Sequence, residues 1–235
     1  MTKGLAERAF HKLTLELRRA RGRIGFRLGA AANTTPLCAD FGGSRGTPID
    51  RLYIETFLEA HRGDIRGRVL EIGDATYSRR FGGSNVTHQD ILHVSGSPEA
   101  TIVGDLEARG TLPEKAFDCV IFTQTLQLIF DVKTALKQLH DSLRPGGVLL
   151  LTVPGITQID QLGWSESWHW SFTRRSVERL LGAMFDPASV SIEARGNLYA
   201  ATAFLHGACL QEVSRSKLNP VDEAYPVTIT ARAVA

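Results

Sequence analysis

A short apolar run that ends in an acid and a glycine, residues 68–74, constrains the fold of this 235-residue chain more than any other feature. Val69, Leu70 and Ile72 supply the apolar surface of a strand that is buried on both faces of a sheet. Gly73 at its carboxyl end lets the backbone turn sharply and approach a ligand closely. Ligands of open α/β sheets bind at this end, in the crevice where the strand order reverses. The segment therefore predicts both a fold class and the position of a site.

Further segments extend this pattern into a doubly wound α/β fold. A helix is predicted over residues 48–61, with Thr47 as its N-cap and Pro48 at its first position. Two more helices are predicted over residues 132–143 and 173–185. Because strands alternate with helices or turns, we expect right-handed crossovers and a mostly parallel sheet, closed by a late antiparallel strand. The seven predicted strands cover residues 68–72, 85–90, 100–103, 117–123, 148–153, 189–194 and 227–234.

A basic amphipathic helix is predicted near the N-terminus, because apolar residues recur there at spacings of three and four. Residues 1–30 carry eight Lys or Arg against two acids, so the rest of the chain has a net charge of −4. Four roles stay open: packing on the body, a lid over the site, docking on an acidic partner or membrane surface, and targeting. Residues 29–47 resemble a linker. The predicted organisation is an N-terminal extension, residues 1–47, followed by one domain, residues 48–235.

Composition excludes several classes of protein. The acidic balance of the body disfavours nucleic acid as a partner. Three cysteines without metal-ligand spacing favour a reduced cytoplasm over a disulfide scaffold, and predict no metal site. No apolar run approaches the roughly 18–20 residues of a membrane span, and no secretory signal opens the chain. We expect a cytoplasmic protein without a transmembrane segment, and a homodimer is an open alternative.

Three segments together resemble the motifs of one enzyme family. They are VLEIG at residues 69–73, FDCVIFTQTLQ at 117–127 and LRPGGVLL at 143–150. Their order is that of class I S-adenosylmethionine-dependent methyltransferases. WHWSFT at residues 168–173 is similar to a narrower group, bacterial small-molecule and sugar methyltransferases associated with glycosyltransferases. The resemblance implies a Rossmann-like methyltransferase fold with six parallel strands and a reversed last strand.

The resemblance also implies which residues bind S-adenosylmethionine as the cofactor. Gly73 would admit the methionine part, and Glu71 would fix either the loop or the ammonium group. The sequence departs from the usual Gly-x-Gly at Ala75, so the loop is bulkier than in most members. The implied cofactor-binding residues are Glu71, Gly73, Asp74, Asp90, Asp105, Leu106, Thr123 and Gln124.

Two acids are predicted to bind the nucleoside. Asp90 ends the second predicted strand, where a carboxylate can accept both ribose hydroxyls, as in dinucleotide-binding folds. A helix or turn cap is the alternative. By resemblance, Asp105 would pair with the adenine amino group and Leu106 would pack on the ring. An ordinary loop acid is the alternative for Asp105.

The acceptor is predicted to bind beside the loop after the fifth strand, which holds all three tryptophans, Trp164, Trp168 and Trp170. Aromatic faces suit sugar rings and other flat acceptors, although these residues could instead only anchor the loop. Gln127 is placed to contact either substrate or solvent. His169 is the candidate general base, a role worth typically 10²–10⁴-fold. A hydrogen bond from His169 to the backbone is the alternative.

The sequence therefore predicts a methyltransferase that acts on a small molecule, with O-methylation of a sugar or glycosylated natural product preferred. N-methylation of a similar molecule is the alternative among enzymes. A dehydrogenase is disfavoured because no GxGxxG follows the first strand. A non-catalytic methyltransferase-like binding protein is the alternative from another class, because the altered loop could mark lost cofactor affinity.

Overall fold

The computed structural model describes residues 32–235, and the predicted basic helix lies outside the described residues. Pro36–Ala235 forms one compact unit. Within the described part of the chain, no helix has the length and apolar character needed to cross a membrane.

A seven-stranded sheet forms the centre of this unit, in the order β3-β2-β1-β4-β5-β7-β6. β1 to β5 pair with one another in parallel, and β7 runs antiparallel to both β5 and β6. The prediction of a mostly parallel α/β sheet with a reversed last strand is confirmed. The strands are β1 Gly67–Ile72, β2 Val86–His93, β3 Ile102–Val103, β4 Phe117–Thr123, β5 Leu143–Pro154, β6 Val190–Arg195 and β7 Thr228–Val234.

The helices are α1 Ile49–Ala60, α2 Val132–Ser142, α3 Arg174–Leu181, α4 Leu198–Leu205 and α5 Arg215–Leu218. The prediction that Thr47 caps α1 was wrong, because Pro48 is the N-cap residue and no side chain caps this helix. The hydroxyl of Thr47 instead accepts from Nε2 of Gln211, 3.1 Å away. Ile49, Tyr53 and Phe57, which lie at spacings of four on α1, are buried.

Burial on both sides of the sheet explains the apolar runs. Val69 packs into the hydrophobic cluster on one face of β1, while the adjacent Leu70 packs into the cluster on the other face. Neighbouring β4 does the same with Val120 and Ile121. Successive side chains of a strand point to opposite faces, so a strand covered on both sides needs apolar residues at consecutive positions.

Two stretches differ from the prediction in ways that affect the site. β5 begins at Leu143 rather than at residue 148, since Leu143 already pairs with Phe117. The predicted linker is packed on the body from Leu37 onward. The amide of Leu37 donates to the carbonyl of His206 at 2.8 Å, and a Cβ at Gly42 would lie 2.8 Å from the carbonyl oxygen of Ala208. This packing places Phe41 beside the carboxyl edge of the sheet.

Candidate active site

A cavity of about 690 Å³ lies at the carboxyl ends of the parallel strands. Ile72 and Gly73 reach it from β1, His93 from β2 and Gln124 from the turn after β4. β1 has β2 on one side and β4 on the other, so the direction of chain winding reverses here. Open α/β sheets bind ligands at such a position, and the cavity lies where the first sequence segment predicts it.

The loop after β1 has an open backbone and a fixed shape. Gly73 has φ +85° and lines the cavity, and no heavy atom lies within 4 Å of the position that a Cβ would take. Its amide donates to the carbonyl of Leu92 at 2.9 Å, which ties the ends of β1 and β2 together. Because no side chain fills the space over Gly73, a ligand can contact its backbone directly.

Glu71 fixes the conformation of this loop by accepting hydrogen bonds from its backbone. Its side chain is buried and accepts the amides of Tyr77 at 2.9 Å and Ser78 at 2.8 Å. Burial raises the pKa of Glu71, and the two amides oppose that rise. Glu71 is absent from the cavity wall, as is Asp74, whose exposed carboxylate accepts the amide of Thr76 at 2.7 Å. The geometry therefore favours the loop-fixing alternative for Glu71.

The prediction that Asp90 ends the second strand was wrong, because β2 continues to His93. Asp90 is 4% exposed and lies outside the cavity wall. Its carboxylate accepts from Nε of Arg68 at 2.7 Å and from the hydroxyl of Thr101 at 3.0 Å. The cavity instead receives His93, whose Nδ1 accepts the amide of Ser95 at 3.3 Å. This contact leaves Nε2 to carry the ring proton as a donor.

The loops after β3 and β4 bring three predicted residues to the wall. Asp105 and the buried Leu106 line the cavity near the end of β2. Gln124 has a left-handed backbone with φ +47°, and its amide donates to the carbonyl of Thr152 at 2.9 Å. Thr123 is not part of the wall.

Gln127 lies on the wall and is buried, as a substrate-contacting residue would be. Its Nε2 donates to the carbonyl of Gln124 at 2.8 Å. Among the described residues, its buried Oε1 has no hydrogen-bond partner. Buried polar atoms are rarely left unpaired, so this oxygen is available to a ligand donor.

The tryptophan segment divides between the cavity and the surface. Trp164 and Trp168 line the cavity, and Trp168 stacks on Phe41 with ring centroids 6.1 Å apart. Trp170 lies outside the wall, and its Nε1 donates to the carbonyl of Ile129 at 3.0 Å. His169 is also outside the wall, exposed, with its ring edge-on to Phe130 at 5.4 Å between centroids. The structure thus separates the predicted base from the predicted site.

Besides His93, sequence reasoning missed further groups on the wall, among them two charged residues and one aromatic residue. Asp50 and Arg51 reach it from the first turn of α1, and Phe41 reaches it from the predicted linker. Burial raises the pKa of Asp50. Asp50 follows Ile49 on a helix that turns about 100° per residue, so it borders the apolar face, which is the signal that could have found it. Within residues 32–235, no cluster of three or more potential metal ligands occurs.

Comparisons with known proteins give one family and one fold. The family model described as a methyltransferase domain matches residues 27–189. No curated protein matches the chain. A methyltransferase from Mesorhizobium loti, described as S-adenosylmethionine dependent, is 17% identical with a TM-score of 0.54, covering 80% of this chain and 100% of its own.

Two further solved structures are similar at comparable distance. A SAM-dependent methyltransferase from Archaeoglobus fulgidus is 13% identical with a TM-score of 0.51, covering 79% of this chain and 94% of its own. The plantazolicin methyltransferase, solved with SAH and a substrate analogue, is 12% identical with a TM-score of 0.51, covering 83% and 87%. At these identities the likeness shows a shared fold.

Proposed function

This chain belongs to the family of methyltransferase domains, and from that premise we propose that it transfers a methyl group from S-adenosylmethionine to a small molecule. One observation carries the proposal: a single cavity joins the ends of β1, β2 and β4. Its wall combines an open glycine backbone, apolar surface and a few polar side chains, which is the usual composition of a cofactor site.

The residues present fit this cofactor. The open space over Gly73 admits the methionine part against the backbone. Nε2 of His93 is a donor for a ribose hydroxyl, the role that the sequence assigned to Asp90. Asp105 is an acceptor for the adenine amino group, and Leu106 offers an apolar surface to the ring. A volume of about 690 Å³ is within the usual range for small-molecule sites and leaves room beside the cofactor for an acceptor.

S-adenosylmethionine supplies a methyl group on a sulfonium, which is already a good leaving group. The task of the chain is then chiefly to orient the acceptor, and orientation alone can contribute about 7–11 kcal/mol. Phe41, Trp164 and Trp168 line the cavity and offer flat faces to an acceptor. His169 has no part in the proposal, since it lies on the exposed surface.

We extend the proposal to O-methylation of a sugar or glycosylated natural product, because sugar rings stack well on aromatic faces. A cytoplasmic location is part of the same proposal and is supported by three free cysteines. Product analysis by NMR after incubation with hydroxyl and amine acceptors distinguishes this proposal from N-methylation.

The test is calorimetric titration of the full chain with S-adenosylhomocysteine. We expect micromolar binding, weakened about ten-fold by Asp105→Ala and by His93→Ala, since each removes one hydrogen bond to the ligand. Asp90→Asn is the matched control and should leave the dissociation constant within about two-fold, because Asp90 lies outside the wall. No measurable heat from a folded protein would overturn the proposal and favour a non-catalytic protein.

A further inference from the structure

Two side chains of opposite charge face the cavity from the first turn of α1. Asp50 and Arg51 both line it, on the same wall as Gly73. No motif of the sequence assigns a role to either residue. Adjacent opposite charges that both reach one cavity form a dipolar surface, and such a surface favours a ligand that carries both charges itself.

One oxygen of the Asp50 carboxylate lacks a hydrogen-bond partner in the described structure. Its Oδ1 is closed to solvent and accepts no hydrogen bond within residues 32–235. No ion pair to Asp50 forms within 4 Å in that part of the chain. Buried carboxylates are normally paired, because removing a charge from water is costly. A cationic group of a bound ligand would meet this requirement.

Arg51 lies over the loop after β1, and in the part of the chain that the structure describes, some of its guanidinium N–H donors remain free for a ligand. Its Nη1 donates to the hydroxyl of Tyr77, and its guanidinium carbon lies 6.0 Å from the centroid of that ring. A guanidinium has five N–H donors. In the described structure, one of the donors of Arg51 is used by the hydroxyl of Tyr77. The planar group suits a carboxylate, which can accept two parallel hydrogen bonds from it.

Backbone amides of the same loop already donate hydrogen bonds to side chains of the protein. The amide of Thr76 donates to the carboxylate of Asp74, and those of Tyr77 and Ser78 donate to Glu71. Ala75 in the same loop is fully buried. The loop backbone therefore has few free donors for an anionic ligand group, and Arg51 on α1 is the only Arg or Lys among the described residues of the cavity wall.

We propose that Asp50 and Arg51 together bind the α-amino acid head of the cofactor, with Asp50 receiving the ammonium and Arg51 the carboxylate. This inference rests on the proposed function. A zwitterion satisfies both side chains at once. A purely cationic ligand would offer no negative group to Arg51, and a purely anionic ligand would be repelled by Asp50. A neutral acceptor would leave only the attraction between the two side chains themselves to offset the burial of their charges.

Two ligands that differ only in this head test the inference. S-adenosylhomocysteine carries the amino acid head, whereas 5′-methylthioadenosine keeps the nucleoside and thioether but lacks the head. Both are titrated calorimetrically into the full chain. Asp50→Asn and Arg51→Gln should each weaken S-adenosylhomocysteine binding by roughly ten-fold to hundred-fold, since each removes a charge-assisted hydrogen bond. Binding of 5′-methylthioadenosine should change by less than about two-fold.

The controls separate charge from folding. Glu59→Gln removes an exposed carboxylate from the same helix and should change neither affinity. Tyr77→Phe removes the hydroxyl that contacts Arg51 but keeps the guanidinium, so it shows how far the Arg51 result depends on that contact. Thermal unfolding of each variant confirms that the binding losses do not come from misfolding.

Each outcome bears on a defined claim. Equal losses for the two ligands, or unchanged S-adenosylhomocysteine binding in Asp50→Asn and Arg51→Gln, would overturn the inference. Normal cofactor binding with lost turnover would also overturn it and assign the pair to the acceptor. If the wild-type chain binds neither ligand, the proposed function itself fails.

Discussion

At the scale of single residues, neutralisation of buried charge explains why Asp90 belongs to the core of the sheet. Burial disfavours the ionised carboxylate, but the hydrogen bonds from Arg68 and Thr101 outweigh that effect and lower the pKa of Asp90. Arg68 reaches it from the neighbouring β1, where Leu70 pairs with Asp90 in the strand register. The residue therefore ties two strands together.

Asp90→Asn should remove a pH-dependent part of the stability. A carboxyl whose folded-state pKa lies below its unfolded value stabilises the fold above about pH 4, and this stabilisation is lost as the pH falls through the folded value. We expect urea unfolding at pH 7 to show a loss of about 1–3 kcal/mol, narrowing as the pH falls toward 2.

Glu99→Gln is the control for this prediction. Glu99 pairs with Arg79 at 3.5 Å, and both side chains are more than half exposed. Its removal should cost less than about 1 kcal/mol at any pH. A difference between wild type and Asp90→Asn that stays constant from pH 7 to pH 3 would contradict the account of Asp90.

At the scale of elements, the entry to β1 depends on a residue without a side chain. Gly67 has φ +68°, and a Cβ there would overlap the carboxylate of Asp118 on β4. That carboxylate accepts the amide of Arg68 at 2.7 Å and Nη1 of Arg144 at 2.9 Å. One acid thus joins the amino-terminal ends of β1, β4 and β5.

Gly67→Ala should destabilise the protein by about 2–4 kcal/mol, because it combines a strained backbone with displacement of Asp118. Chemical denaturation measures the loss. Gly63→Ala is the matched control, since nothing lies within 4 Å of a Cβ at Gly63. A similar loss in both variants would show that the crowding at Asp118 is not responsible.

The loop that contains the three tryptophans depends on hydrogen bonds to the carboxylate of Asp160. This carboxylate is 6% exposed and accepts the amides of Leu162 at 3.2 Å and Trp164 at 2.8 Å. Its position on the cavity wall places Trp164 and Trp168 there as well. Two amides would lose their acceptor if the carboxylate were removed.

Asp160→Ala should therefore loosen the loop at a cost of about 1–3 kcal/mol. All three tryptophans of the chain lie in residues 164–170, so intrinsic fluorescence reports on this segment alone. We expect a red-shifted emission and faster acrylamide quenching. Asp186→Ala, which removes an acceptor for the amide of Ala188 at 2.9 Å, should leave the spectrum unchanged. An unchanged spectrum in Asp160→Ala would contradict the role of this carboxylate.

The elements differ in how far the sequence could predict them. β1 and β4 are recognisable because consecutive apolar residues serve both faces of the sheet. The end of β2 is not, since four polar residues, 87–90, precede its apolar part, and the partner of Asp90, Arg68, lies 22 positions earlier. A polar residue that is neutralised by a neighbouring strand has the same local pattern as one that ends a strand.

At the scale of the whole molecule, topology fixes the place of the site better than its lining. The strand order brings the ends of β1, β2 and β4 together, and the three motifs mark two of these ends. Asp50, Arg51 and Phe41 come from segments before the sheet begins. Their approach to the cavity depends on packing of α1 and residues 36–47 against α4 and the segment that follows it, which local patterns do not encode.

The extension proposed from the sequence, residues 1–47, gives the last prediction. Among the described residues, those on the cavity wall fall between Phe41 and Val227, and the compact unit that holds them begins at Pro36. Deletion of residues 1–31 should therefore leave cooperative unfolding intact and S-adenosylhomocysteine affinity within about three-fold, since none of the described wall residues is removed. The measurements are thermal unfolding and calorimetric titration of the truncated chain.

A full-length variant with Arg18, Arg19, Arg21 and Arg23 changed to Gln separates charge from length. If the basic segment docks on an anionic surface, sedimentation with anionic vesicles should fall in both variants, because each basic residue contributes about 1 kcal/mol near such a surface. Equal sedimentation of all three proteins would exclude membrane docking, and packing on the body, a lid, an acidic partner and targeting would then be the roles left for the predicted helix. Loss of cofactor binding on truncation alone would instead show that residues 1–31 complete the site, as a lid would.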